Sequence, residues 1–300
     1  MITEPAPAKI NLALHIRARR PDGYHDLETL FAFAREGDVV AVQEAEQDSF
    51  AVAGPFASSL VHPHPSGADA PPSLSHRERE KPAQPAKGEG DNLVTRARDA
   101  FRAIQACPPV AITLKKSLPV ASGIGGGSAD AAATLRALAT LIGIDPQDPT
   151  LFNIAKHLGA DVPACLLGRS ALGLGKGDDL TPLPSFGDLP LLLVNPRAPL
   201  ATAPMFAAWD GVDRGGIARE GSVLERAGQG RNDFTAPAIA AAPVIAEVLA
   251  TLDHAPGVTL SRMSGSGATC FALFADTAAR DAADASARSR GWWTLPTLLA

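Results

Sequence analysis

From Lys9 onward polar and apolar residues alternate, with Ile10, Leu12, Leu14 and Ile16 at every second position. That is the period of a half-buried strand. It predicts that these four face a core while Lys9, Asn11, Ala13 and His15 share the opposite face. Pro21-Asp22-Gly23 reads as a turn. Apolar runs at 38–42, 50–52 and 110–114 predict further strands, and 191–194 is a continuous apolar run suited to a buried one. Helical spacing replaces alternation at 95–104, at 131–141 (Leu135, Leu138, Leu141) and at 148–158, which Gly159 closes as a C-cap. A glycine-rich turn is expected at 171–177, and 260–274 reads as a glycine turn feeding a strand. Asn232-Asp233-Phe234 reads as the cap of a following helix.

Between the strand at 110–114 and the helix at 131–141 lies Pro119-Val120-Ala121-Ser122-Gly123-Ile124-Gly125-Gly126-Gly127-Ser128-Ala129. Four glycines within five residues bring backbone N–H groups together with no Cβ in the way. Placed against a helix N-terminus they make a cradle for phosphate oxygens. Ser128 is the expected N-cap, and Asp130 suits the positive end of the helix. The common phosphate loops fit poorly. No lysine follows the glycines as a Walker A loop requires, and Ser128 stands where a dinucleotide fingerprint needs its third glycine. The protein-kinase loop joins two strands, not a strand and a helix.

Composition narrows the class. The chain has 300 residues, 46% hydrophobic and 20% charged, as soluble globular proteins do. A net charge of −5 argues against a nucleic-acid partner. No apolar run is long enough to span a membrane, and 1–5 has no secretory-leader character, so a cytoplasmic protein is expected. The cysteines, Cys107, Cys165 and Cys270, show neither metal nor disulfide spacing and are expected to be buried thiols. From 63 to 90 the chain is Pro, Ser, His, Lys and Glu with almost no apolar residue, which reads as a mobile surface insertion, dispensable for activity. His62 just before it and His64 and His76 within it lack the surroundings of a metal site.

Residues 119–133 resemble the signature loop of the GHMP kinases, which include galactokinase, homoserine kinase and mevalonate kinase. Adding Pro7-Ala8-Lys9-Ile10-Asn11-Leu12, Arg20-Pro21-Asp22-Gly23-Tyr24-His25 and Gly159-Ala160-Asp161-Val162-Pro163 sharpens this. Together they resemble the 4-diphosphocytidyl-2-C-methyl-D-erythritol kinase family over nearly the whole chain. The resemblance implies an α+β, two-domain GHMP kinase fold, residues 1–185 and 186–300, with the active site in the interdomain cleft. It implies ATP and Mg2+, with Asn92, Lys116 and the loop from Pro119 to Ala129 around the nucleotide and Ser128 or Asp130 near the metal. Asp161 is implied as the base and Lys9 as its electrostatic partner. Asn11, Tyr24, His25, Thr202 and Phe206 are implied around the cytidyl substrate, with Phe206 opposite Tyr24 across the cytosine.

Other readings fit less well. A mevalonate or homoserine kinase has no use for Tyr24-His25 and Phe206 as a cytosine clamp. A non-catalytic nucleotide binder would be expected to lack Lys9 or Asp161. A dehydrogenase is disfavoured by the broken fingerprint. Monomer and homodimer are both left open.

Overall fold

The computed structural model describes residues 1–61 and 92–300. The proposed insertion at 63–90 and its histidines lie outside these residues. The strands are β1 (Ile2–Arg19), β2 (His25–Glu44), β3 (Ser49–Ala53), β4 (Val110–Lys115), β5 (Ala171–Gly175), β6 (Asp179–Pro182), β7 (Leu189–Asn195), β8 (Val258–Met263), β9 (Cys270–Phe274) and β10 (Trp293–Leu299). The first helices are α1 (Ala57–Val61), α2 (Leu93–Arg102), α3 (Gly126–Leu141), α4 (Pro149–Leu158) and α5 (Val162–Leu167). In the second half lie α6 (Thr202–Ala207), α7 (Val223–Gln229), α8 (Thr235–Ala241), α9 (Val244–Asp253) and α10 (Thr277–Ser289).

Two long antiparallel strands, β1 and β2, form the spine. Strand β2 pairs with β4 through 39–44 and with β5 through 27–31, and β3 runs parallel to β4. At its middle β2 meets β10 through Ala34 and Leu299, and β10 continues to β7, β9 and β8. One sheet therefore crosses both halves. Its pairing register shifts between Pro7 and Lys9 and between Asn11 and Ala13. Such irregularities re-aim side chains, here those of Lys9 and Asn11.

The core follows this spine. Phe31, Phe33, Val40 and Ile112 pack under Ala131, Leu135 and Leu138 of α3. Leu192, Val194 and Phe274 pack with Ile245, Val248 and Leu252 of α9. A third cluster joins the halves, with Ile10 and Leu12 of β1 meeting Leu191, Leu193, Phe271 and Leu299. Helix α3 is sealed by β1, β2, α2 and α5, and its alanines let those neighbours approach closely.

Several expectations need correction. Strand β1 is not half-buried, since Lys9, Asn11, Ala13 and His15 are as buried as Ile10 and Leu12. Their face looks into the molecule, not into solvent. Ser128 does not cap α3. The cap position is Gly125, in the left-handed region at φ 65°, and Ser128 sits inside the first turn. The expected turn at 171–177 is mostly strand β5, with the turn confined to its end. Gly173 serves close packing, because a Cβ there would lie 2.7 Å from the Phe31 ring. Cys165 and Cys270 are buried, but Cys107 is only half-buried. Burial pushes the Cys165 thiol up to about 12. Residues 27–33 of β2, helices α9 and α10 and strand β10 have no counterpart in the reading from sequence.

The β1–β2 pairing sets a strict limit at Gly37, where a Cβ would lie 2.1 Å from the Ala6 carbonyl oxygen. We expect Gly37→Ala to destabilise the protein by about 1–3 kcal/mol, the usual cost of overpacking. Gly228, in α7 with open space around it, should tolerate alanine and gain up to about 1 kcal/mol. Urea unfolding of the two variants checks both signs.

Candidate active site

Lys9 anchors the site. Its backbone N–H donates to the Ile124 carbonyl at 2.9 Å, tying the glycine loop to β1. The residue is 2% exposed. The Nζ atom lies 3.0 Å from Asp161 Oδ2 and donates to Asn11 Oδ1 at 2.8 Å. Asn11 is oriented in turn by its Nδ2, which donates to Thr29 Oγ1 at 2.8 Å. The Thr29 hydroxyl donates to the Ala13 carbonyl at 2.8 Å. This chain fixes which end of the Asn11 amide faces the ammonium. Asp161 precedes α5 but caps nothing, and its carboxylate remains 39% exposed beside Lys9.

The glycine loop closes over Lys9. A Cβ on Gly125 would lie 2.9 Å from Lys9 Cε, so both the left-handed backbone and the contact require glycine there. The turn between β8 and β9 supports the loop from the other side. Ser264 Oγ donates to the Gly123 carbonyl at 3.0 Å and accepts the Asn11 N–H at 3.1 Å. The first intrahelical bond of α3 runs from Ala129 N–H to the Gly125 carbonyl at 2.8 Å. The first-turn N–H groups of Gly126, Gly127 and Ser128 thus belong to the end of a helix that lines the cavity.

That cavity measures about 400 Å³. Lys9, Asn11, Ala121, Ser122, Gly123, Gly125, Gly126, Gly127, Ser128, Asp161, Thr202 and Phe206 line it together. So do Thr29, Phe31, Phe234, Gly265 and Ser266, whose part sequence reasoning missed. Thr202 Oγ1 and Ser266 Oγ lie 2.9 Å apart, closing one wall. A neighbouring pocket shares Thr202 and Phe206 and adds Arg19, Tyr24 and His25. Phe206 stacks on His25, with ring centres 4.9 Å apart and planes 28° apart. Tyr24 is 56% exposed, with Lys176 Nζ 4.9 Å from its ring centre. Burial, then Arg19, holds the His25 pKa below its ordinary value.

Asn92, Lys116, Pro119, Val120, Ile124 and Ala129 are not among the residues lining the cavity. Asn92 caps α2, its Oδ1 accepting the Val94 N–H at 2.9 Å. Lys116 is 2% exposed between Asp38 Oδ2 at 2.5 Å and Asp130 Oδ2 at 2.7 Å. Asp130 is therefore not at the cavity, where it had been expected near the metal. It lies beneath the glycine loop, and a Cβ on Gly126 would come within 3.0 Å of Lys116 Nζ. Burial alone would lower the Lys116 pKa, but the two carboxylates outweigh it and hold it raised. Two carboxylates share one ammonium, so one is in excess. Burial pushes Asp130 up to about 7, against the pull of Lys116 and with the help of Asp38. Among the described residues, no group of three or more His, Cys, Asp or Glu side chains could hold a metal by itself.

Comparison with known proteins gives this geometry a family. The GHMP kinases N terminal domain matches residues 92–169, and the GHMP kinases C terminal domain matches 219–291. The 4-diphosphocytidyl-2-C-methyl-D-erythritol kinase of Rhizorhabdus wittichii is 50% identical, over 99% of this chain and 94% of its own. The chain belongs to the 4-diphosphocytidyl-2-C-methyl-D-erythritol kinase family. The enzyme of that name from Sphingopyxis alaskensis is 45% identical, over 96% of this chain and 95% of its own. A crystal structure of 4-(cytidine 5'-diphospho)-2C-methyl-D-erythritol kinase superposes with a TM-score of 0.76 at 30% identity, covering 100% of this chain and 99% of that one. A mevalonate kinase structure, at TM-score 0.56 and 9% identity, shares the fold alone. The α+β GHMP kinase architecture expected from sequence is thus the one found.

The Asp130 shift has a definite sign in this family member. Its folded pKa is raised from 3.8 to about 7, so its contribution to stability is complete below about pH 4 and is lost as pH rises through about 7. Asp130→Asn keeps an oxygen for Lys116 but cannot ionise. We expect its unfolding free energy to vary less than wild type between pH 4 and pH 8, as urea titrations at a series of pH values would show. An unchanged pH slope would place the titration elsewhere.

Proposed function

We propose that this GHMP kinase transfers the γ-phosphoryl group of ATP to the 2-hydroxyl of 4-diphosphocytidyl-2-C-methyl-D-erythritol, giving ADP and the 2-phosphate. The observation that carries the reading is the Lys9–Asp161 pair, which shares one cavity with the first turn of α3. Phosphoryl transfer asks for positioning and charge neutralisation more than covalent chemistry.

The residues fit the nucleotide. The N–H groups of Gly126, Gly127 and Ser128 would hold β- and γ-phosphate oxygens at the positive end of α3. Mg2+, when bound, would supply charge neutralisation between phosphate oxygens, with Ser128 the candidate ligand from the loop. Asp161 would take the proton of the attacking hydroxyl, its partial exposure leaving room for an alcohol beside it. Lys9, 3.0 Å from Asp161 Oδ2, would hold that carboxylate in place and meet the negative charge that develops on the transferred group. Asn11, held by Thr29, would orient the acceptor. Tyr24, His25 and Phe206 would select the cytosine ring, with Phe206 parting from His25 or stacking outside it.

The same reading places the domain boundary near 185/186, between β6 and β7. It also makes the protein a cytoplasmic enzyme, as monomer or homodimer, with no nucleic-acid partner. Among the described residues, no helix is long and apolar enough to cross a membrane.

The test is ADP release with Mg2+ and ATP, offering the diphosphocytidyl alcohol, mevalonate and homoserine in turn. We expect turnover with the cytidyl compound alone. Turnover with another alcohol would keep the phosphate site and remove Tyr24, His25 and Phe206 as a cytosine site. ATP binding without turnover on any of the three would contradict the reading.

A further inference from the structure

Asn232 is buried on the turn between α7 and α8, and it is not among the residues lining the cavity. Its Oδ1 accepts the Phe234 N–H at 2.9 Å, closing the local turn that leads into α8. Its Nδ2 does more. It donates to the Met263 carbonyl at 2.7 Å and to the Gly265 carbonyl at 2.8 Å. That turn requires neither of these bonds.

Two of the residues it grips, Gly265 and Phe234, line the cavity and lead to different parts of it. Gly265 packs on the glycine loop, where its Cβ would lie 2.7 Å from the Gly123 carbonyl oxygen. Phe234 meets Phe206 edge to face at 4.7 Å, and Phe206 stacks on His25. The turn is also bonded to β1, the strand that carries Lys9 and Asn11. Leu14 N–H donates to the Arg231 carbonyl at 2.8 Å, Asp233 N–H to the Leu14 carbonyl at 3.0 Å, and Ile16 N–H to Asp233 Oδ2 at 2.7 Å. One amide thus joins the phosphate part of the cavity, its aromatic part and strand β1.

We propose that Asn232 is a positioning residue that holds these two parts of the cavity in register, so that nucleotide in one favours the acceptor in the other. This inference rests on the kinase reading above. Coupling of this kind needs an element that both sites bias, and the Asn232 turn is bonded to both.

Asn232→Asp keeps the oxygen that accepts from Phe234 but sets a carboxylate against two carbonyls. Asn232→Ser removes the bridge without adding charge, and serves if the first variant does not fold. The measurement is the affinity for a non-hydrolysable ATP analogue, with and without the diphosphocytidyl alcohol, together with kcat and KM. In wild type the alcohol should tighten the analogue. In either variant we expect analogue affinity and acceptor KM each to worsen about tenfold, with kcat less affected and the mutual tightening lost. Ile245→Val, on the buried face of α9, serves as a stability control and should lower Tm while leaving affinities unchanged. A variant that lowers Tm but keeps wild-type affinities and coupling would reduce Asn232 to a turn residue and overturn the proposal. Damage in one part only would do the same, as would a wild type without coupling. If wild type binds no ATP analogue, the kinase reading itself fails, and that outcome is separate from the others.

Discussion

A lysine ammonium sealed into a protein wall is expensive unless acceptors surround it, and Lys9 is such a group. Much of the site follows from answering it. Asn11 supplies one acceptor and is itself held by Thr29. Asp161 supplies the opposite charge and stays open to the cavity. Phe31 presents its ring 5.4 Å from the ammonium. Gly125 has no side chain because Lys9 occupies that space. The glycine loop is therefore shaped from below by the cation as well as from within by its own sequence. Removing the Lys9 charge would leave Asp161 without the ammonium that neutralises it.

The second half of the chain contributes support more than chemistry. Strand β10 extends the sheet from β2, and the β8–β9 turn buttresses Gly123 through Ser264. Beneath the loop, Asp38, Lys116 and Asp130 form a second buried ion cluster that joins β2, the end of β4 and α3. The upper cation faces the cavity, while the lower one is enclosed. Lysines that look alike in sequence thus serve different ends, one beside the cavity and one inside the scaffold.

What was legible in the sequence was local or carried by a motif. The strand, glycine loop and helix around 110–141 could be read because periodicity changes abruptly on either side of the glycines. The partnership of Lys9 and Asp161 could be anticipated because both stand in segments, 7–12 and 159–163, that resemble the family's. Other features depended on pairings distant in sequence. Nothing near His15 shows that its face of β1 would be covered, because the covering residues, including Arg231, lie in the other half. The ties from Asn232 to Met263 and Gly265 span about thirty positions, so the residue read as a cap alone. Asp130 looked like a first-turn charge because sequence does not reveal that Lys116 waits beneath it. Glycines in β5 suggested a turn when one of them makes room for Phe31.

On the proposed reading Asp161, held beside Lys9, is the group through which the cavity activates an alcohol. Its most direct test is Asp161→Asn, followed by binding of an ATP analogue and by single-turnover phosphoryl transfer to the diphosphocytidyl alcohol. We expect an intact fold, analogue affinity close to wild type and a transfer rate lower by about a hundredfold or more. A transfer rate equal to wild type would contradict it and remove Asp161 from the chemistry.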